Sequence, residues 1–185
     1  MRIRTVTTSL IGLALVLALA APAAAQGAPA SSDRPLLGAG VSFLKPTGEG
    51  SETGTGFFVD VAVPVRPMGN ASIGIVGDFG FHNFEFDRSV SFAGGARFTA
   101  TATDRVHPFG QATIGVYRFS LKSNTGCEED CSASEMALTP GGGVDVHLND
   151  KFNFRGQIDF PIIFFEGDTD TAIRFSFGIS MRLGG

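Results

Sequence analysis

From Leu36 onward the chain alternates apolar residues with polar or small ones at a period of two, in segment after segment. Side chains two apart share one face of a strand, so this pattern calls for β-structure. No stretch of helical period competes with it. Eight segments can be drawn: Leu36–Leu44, Thr55–Val65, Ala71–Phe81, Ser89–Ala100, Val106–Arg118, Met136–Leu148, Lys151–Phe160 and Thr171–Leu183. Most are 9 to 13 residues long, and a tilted membrane strand needs about 9–11. The alternation is clean in Thr55–Val65, where Phe57, Val59, Val61 and Val63 oppose Phe58, Asp60, Ala62 and Pro64. It is equally clean in Lys151–Phe160, where Phe152, Phe154 and Ile158 oppose Asn153, Arg155, Gln157 and Asp159.

Alternation alone does not say which face is inside. A soluble barrel would turn its greasy face inward and cover the other with Lys and Glu. Here the polar face of these segments carries Gly, Ser, Thr and Ala with no Lys or Glu. Its charges are Asp60, Asp78, Arg97, Asp145, Arg155, Asp159, Arg174 and Arg182, four acids and four bases. A sign-balanced Asp/Arg set fits ion pairs in a narrow interior, where an unpaired charge is costly. These eight residues are therefore expected to pair with one another and plug a lumen. The greasy face holds 11 of the 18 Phe and is expected to meet lipid. The reading is all-β: an eight-stranded antiparallel up-and-down transmembrane barrel, with side chains just filling its lumen.

The connections run about 10, 5, 7, 5, 17, 2 and 10 residues in order, long alternating with short as in membrane barrels. Asn149-Asp150 is expected to be a two-residue hairpin turn with positive φ. The long connections carry most of the acids, and an even strand count places both chain ends on the periplasmic side.

The N-terminus has the form of a secretory signal peptide. Arg2 and Arg4 supply the positive start, Leu10 to Ala21 the apolar core, Pro22 a break and Ala23-Ala24-Ala25 the small residues before a cut at Gln26. The domain plan is thus a signal peptide at 1–25, a flexible lead-in at 26–35 and a barrel domain at 36–185. The whole chain has a net charge of −4, and removing Arg2 and Arg4 makes it about −6. An acidic chain without a basic stripe is no candidate for nucleic acid.

The stretch from His107-Pro108-Phe109-Gly110 to Gly115-Val116-Tyr117 resembles a Pro-aromatic strand of the outer-membrane β-barrel domain family, the small OmpA/OmpX-like barrels often labelled porin family proteins. Pro140-Gly141-Gly142-Gly143 running into Asn149-Asp150 and Phe152–Phe160 is similar to that family's Gly-rich strand and hairpin. The resemblance covers essentially the whole mature chain. It implies residence in the bacterial outer membrane among lipid and lipopolysaccharide, and insertion by the barrel-assembly machinery through the C-terminal strand. It also implies a monomer, since closure leaves no free edge. The chain departs from the family in three ways. It ends Met181-Arg182-Leu183-Gly184-Gly185 rather than on an aromatic residue, and it has no Trp and one Tyr. Arg118 also falls on the lipid parity, which calls for snorkelling at the outer rim or a bulge before Phe119.

Few residues suggest further chemistry. Cys127 and Cys131 form a close pair in the longest loop, expected to be a local disulfide in an oxidising compartment. Glu166, Asp168 and Asp170 sit in the last long loop, and their spacing matches no EF-hand. They read as a solvated acidic rim able to meet lipopolysaccharide phosphates through divalent cations. His107 and His147 share the lumen parity near Asp145 at the periplasmic end and read as lumen lining. No catalytic motif, resident metal or cofactor is expected. The function read from the sequence is a non-enzymatic, structural or surface-interacting barrel passing at most small solutes weakly. Two alternatives stand beside it: a soluble lipocalin-like barrel holding an apolar ligand, and a lipid A-modifying enzyme.

Overall fold

The computed structural model describes residues 34–48, 50–121, 132–165 and 167–183. The expected signal peptide, most of the lead-in and the Cys127–Cys131 pair lie outside the described residues.

Nine strands form one antiparallel sheet. They are β1 (Leu36–Pro46), β2 (Gly54–Met68), β3 (Ala71–Asn83), β4 (Asp87–Ala100), β5 (Val106–Leu121), β6 (Ser132–His147), β7 (Phe152–Asp159), β8 (Ile162–Phe165) and β9 (Asp168–Arg182). β1 pairs with β9 from Leu36 opposite Arg182 to Pro46 opposite Ala172, which closes the sheet on itself. Closure satisfies the edge N–H and C=O groups that lipid cannot. β7 and β8 are two halves of one barrel strand, because each pairs with β6 on one side and β9 on the other. The barrel is therefore eight-stranded, with both described chain ends at one rim.

The break between β7 and β8 falls at Phe160-Pro161, since Pro161 has no N–H to give the ladder. Phe160 N still donates to Pro140 O at 2.8 Å, and Ala172 N donates to Pro161 O at 2.9 Å. Parity survives the break, with Asp159, Pro161 and Ile163 all buried.

The alternation in the sequence runs out at Phe160 and calls for a ten-residue loop after it. That loop is instead β8 and a tight turn at Gly167, whose φ is +87°. Asp168 and Asp170 consequently lie on β9, not on a long loop. Ile162 to Phe165 is a continuous apolar run without alternation, and Pro161 masked its strand character. The strands also run longer than expected, up to 16 residues in β5 and β6, so several connections shrink. That between β3 and β4 keeps only residues 84–86.

The Asn149-Asp150 turn also differs from expectation. The connection spans residues 148–151, and no non-glycine residue among those described has positive φ. Asn149 Oδ1 accepts from Lys151 N at 3.0 Å and Phe152 N at 2.9 Å, so the asparagine side chain shapes the turn in place of a left-handed backbone.

The greasy face lies outward. Phe57, Phe92, Ile114, Phe154, Phe175 and Phe177 are all exposed, Phe92 at 62 %. The barrel wall therefore rules out the soluble lipocalin-like arrangement, in which these side chains would fill the interior.

Two glycines make the seam possible. Gly40 of β1 and Gly178 of β9 are register partners. A Cβ on Gly178 would sit 2.1 Å from Ala39 O, and one on Gly40 2.1 Å from Phe177 O. Gly178→Leu should therefore lose more than the roughly 1–3 kcal/mol of ordinary overpacking and cut the folded yield. Gly77→Ala, whose new Cβ meets open space, should change stability by less than about 0.5 kcal/mol. Unboiled gel mobility and urea unfolding in micelles measure both. A fully folded Gly178→Leu barrel would contradict this account of the seam.

Candidate functional site

The lumen contains one continuous polar network. Arg155 on β7 forms a bidentate pair with Asp145 of β6, Nε to Oδ1 at 2.8 Å and Nη2 to Oδ2 at 2.7 Å. Its Nη1 reaches Asp60 of β2 at 2.5 Å. Asp60 also accepts from Arg97 of β4 at 2.5 Å. Arg97 donates onward to Gln111 Oε1 on β5 at 2.6 and 3.0 Å, and Gln111 Nε2 donates to Asp159 of β7 at 3.2 Å. Arg174 of β9 then joins Asp159 at 2.9 Å to Asp78 of β3 at 2.7 Å. Seven of the eight barrel strands supply a side chain. The eighth, β1, supplies Gly38, where a Cβ would lie 2.0 Å from Asp60 Oδ1 and 2.8 Å from Arg155 Nη1.

Burial is complete at the centre, with Arg155 at 0 % exposure and Arg174 at 1 %. A charge so far from water persists only when paired and hydrogen-bonded. Each of these two arginines meets two carboxylates. Phe109 adds a ring under two guanidiniums, with Arg97 Cζ 4.4 Å and Arg155 Cζ 5.0 Å from its centroid; such contacts are favourable in a desolvated setting.

Seven of the eight residues singled out from the sequence meet in this network: Asp60, Asp78, Arg97, Asp145, Arg155, Asp159 and Arg174. Arg182 does not. It lies at the rim that holds the described chain ends, against the ring of His147, and donates to Asp150 O at 3.3 Å. The register explains this, because Arg182 faces Leu36 at the first rung of the seam. The network therefore holds four aspartates against three arginines rather than a balanced eight. His107 and His147 stack with ring centroids 4.1 Å apart. They line a cavity of about 40 Å³ at the same mouth together with Arg34, Ser72, Asn153 and Arg182.

Sequence reasoning missed three parts of the lumen. Gln111 links the two arginine centres, and its lumen parity was the available signal. Ser42 Oγ meets His82 Nε2 at 2.9 Å and Ser176 Oγ at 3.1 Å, with all three residues at 0 % exposure. Toward the loop end, buried Leu44, Tyr117, Ala137, Ile163 and Ala172 pack with Phe84, Phe119 and Phe165 into an apolar plug. At this level the lumen mixes an apolar cluster with buried Ser89 and Ser91, the register partners of Phe119 and Tyr117. The bulge considered before Phe119 is absent, since β5 keeps continuous register with β4 and β6 through Arg118. No cluster of three or more His, Cys, Asp or Glu able to hold a metal occurs among the described residues.

A closed eight-stranded barrel with lipid-type side chains outside and ion pairs inside now stands beside a sequence match. The outer membrane protein beta-barrel domain model matches residues 11–182. The chain belongs to that family. It is a bacterial outer-membrane protein, and its strands cross that membrane. No curated protein matches its sequence.

Solved structures share the fold. Neisserial surface protein A superposes with a TM-score of 0.67 at 14 % identity, covering 80 % of this chain and 97 % of that one. Ail, the attachment invasion locus protein of Yersinia pestis, gives 0.58 at 16 %, with 83 % and 100 % covered. The outer membrane protein OprG from Pseudomonas aeruginosa gives 0.54 at 10 %, with 85 % and 99 % covered. At such identities the likeness is one of fold alone.

Arg155→Met leaves Asp60 and Asp145 short of a buried partner and should cost about 3–5 kcal/mol. Arg182→Gln, at the rim, should cost less than about 1 kcal/mol. Chemical unfolding in micelles followed by tryptophan-free far-UV circular dichroism checks both, and equal effects would sink the assignment of Arg182 to the rim.

Proposed function

We propose that this protein is a non-enzymatic outer-membrane barrel with a sealed lumen, serving as a structural element and a carrier of surface loops. The carrying observation is the cross-lumen network, in which Arg155 and Arg174 tie strands on opposite walls and exclude solvent. The apolar plug above it adds a second barrier. A solute would have to break two doubly paired arginines and displace packed Leu44, Tyr117 and Ile163 side chains, so passage of even small solutes is weak at most.

The lipid A-modifying alternative has one contact in its favour, Ser42 Oγ to His82 Nε2. The geometry weighs against it. Both residues are fully buried beneath the plug, and His82 Nδ1 has no hydrogen-bond partner among the described residues. A nucleophile needs its base oriented by a third group and needs a path for substrate.

Planar-bilayer recordings and liposome-swelling assays test the sealed lumen. The purified wild-type barrel should give no discrete conductance steps above leak and no sugar-driven swelling. Reproducible ohmic steps from a heat-modifiable, folded preparation would refute a sealed barrel. Hydrolysis of lipid A by wild type but not by Ser42→Ala would refute the non-enzymatic reading.

A further inference from the structure

The outer rim sorts its charges by strand parity. Among the described strand residues at the loop end, Lys45, Arg88 and Arg118 take the lipid-facing parity and are all exposed. The acids at the same end, Asp87, Glu135, Asp168 and Asp170, take the inward parity. A rim selected only for solubility would mix the signs on both faces.

Two of these cations form a unit. Arg88 of β4 pairs with Ser120 of β5, and Val90 pairs with Arg118. The two arginines are thus diagonal neighbours on one face, with Cα atoms about 7–8 Å apart in an ordinary antiparallel ladder. Ser120 in turn faces Ser132 of β6, and Arg118 faces Ser134. Three serines therefore surround the pair on the same face, and Arg118 Nη2 donates to Ser132 Oγ at 3.0 Å.

The height of the patch is set by the apolar belt beneath it. On β4 the lipid-facing positions from Val90 to Phe98 carry no charge, and neither do those from Pro108 to Val116 on β5. Each stretch spans nine residues, close to the roughly 9–11 that a tilted strand needs to cross the hydrocarbon. Arg88 and Arg118 come next on each strand, at the level of the outer-leaflet headgroups. An arginine on the lipid face costs about 2–4 kcal/mol at the midplane and about 0–1 near the interface. Position thus makes these arginines tolerable; the diagonal pairing and the serines give them a ligand chemistry.

We propose that Arg88 and Arg118, with Ser120, Ser132 and Ser134, form a binding site on the outer wall for a phosphate of the phosphorylated glycolipid of the outer leaflet. Two guanidiniums present forked donors to a phosphate's oxygens, and the serine hydroxyls supply further donors. The site lies on the wall and works whether or not the lumen is sealed.

The test uses the full mature chain folded in neutral micelles. The probes are bisphosphorylated lipid A, the same lipid A with both phosphates removed, and inorganic phosphate, with bound lipid read by native mass spectrometry. The wild type should retain the phosphorylated lipid about tenfold better than the dephosphorylated one, a ratio within reach of two charge-assisted contacts. Arg88→Gln with Arg118→Gln should abolish that preference while unboiled gel mobility stays that of the folded barrel. Should the double variant fail to fold, each single variant should lose part of the preference. Arg88→Lys with Arg118→Lys should keep some of it, since charge remains and the fork is lost. Equal retention of both lipids by the wild type would overturn the proposal, as would full preference in the glutamine variants. Displacement of the lipid by millimolar inorganic phosphate would also overturn it, making a free anion the ligand.

Discussion

The rest of this structure depends on Arg155 being held between Asp60 and Asp145. Removing a guanidinium and two carboxylates from water costs several kcal/mol per ion unless their hydrogen bonds are replaced. The forked Arg155–Asp145 contact replaces two of them, and Nη1 toward Asp60 a third. The arrangement in turn dictates what its neighbours can be. Position 38 must be glycine to leave room for Asp60 and Arg155, and Gly141 does the same for Asp159, whose Oδ1 would lie 2.0 Å from a Cβ there. The glycine-rich lumen face is thus a consequence of burying arginine in a barrel of only eight strands.

Much of the fold was legible because lipid imposes a simple rule on every strand. One parity must be apolar, and a chain with 18 Phe and few Lys or Glu obeys it openly. Asp60, Asp78, Asp145, Asp159, Arg97, Arg155 and Arg174 could be assigned to the lumen by counting in twos. Which acid meets which base could not be read, because that depends on the stagger between strands. Arg182 shows the limit: its parity matches Arg174, but the seam register carries it to the rim. Phe109 and Tyr117 were hidden for the opposite reason, being aromatic residues on the inward parity of a chain whose other aromatics mostly face lipid. β8 escaped notice because Pro161 resembles a terminator and Ile162–Phe165 does not alternate.

Inside and outside answer to different pressures. The outer surface needs only to be greasy to a certain height, which many sequences satisfy, and the fold accordingly persists at 14 % identity to Neisserial surface protein A. The interior answers to the cost of burying charge, with a polar waist below an apolar plug. The loop-end rim is ordered as well, its cations and acids being divided between the two faces of the strands.

Each central arginine of the waist has one carboxylate partner nearby in the chain and one far away, Asp145 lying 10 positions from Arg155 and Asp159 lying 15 from Arg174. Arg155 meets Asp60 across 95 positions, and Arg174 meets Asp78 across 96. No early hairpin contains both members of either pair. A sheet lacking some of the strands leaves Arg155 or Arg174 with only one of its two carboxylates, the nearer one on an adjoining strand. The last of these groups, Asp78 and Asp159, receive their shared arginine only from β9. A chain cut before β9 loses both the β1 seam and the one base that Asp78 and Asp159 share, so the strand that closes the wall also completes the waist.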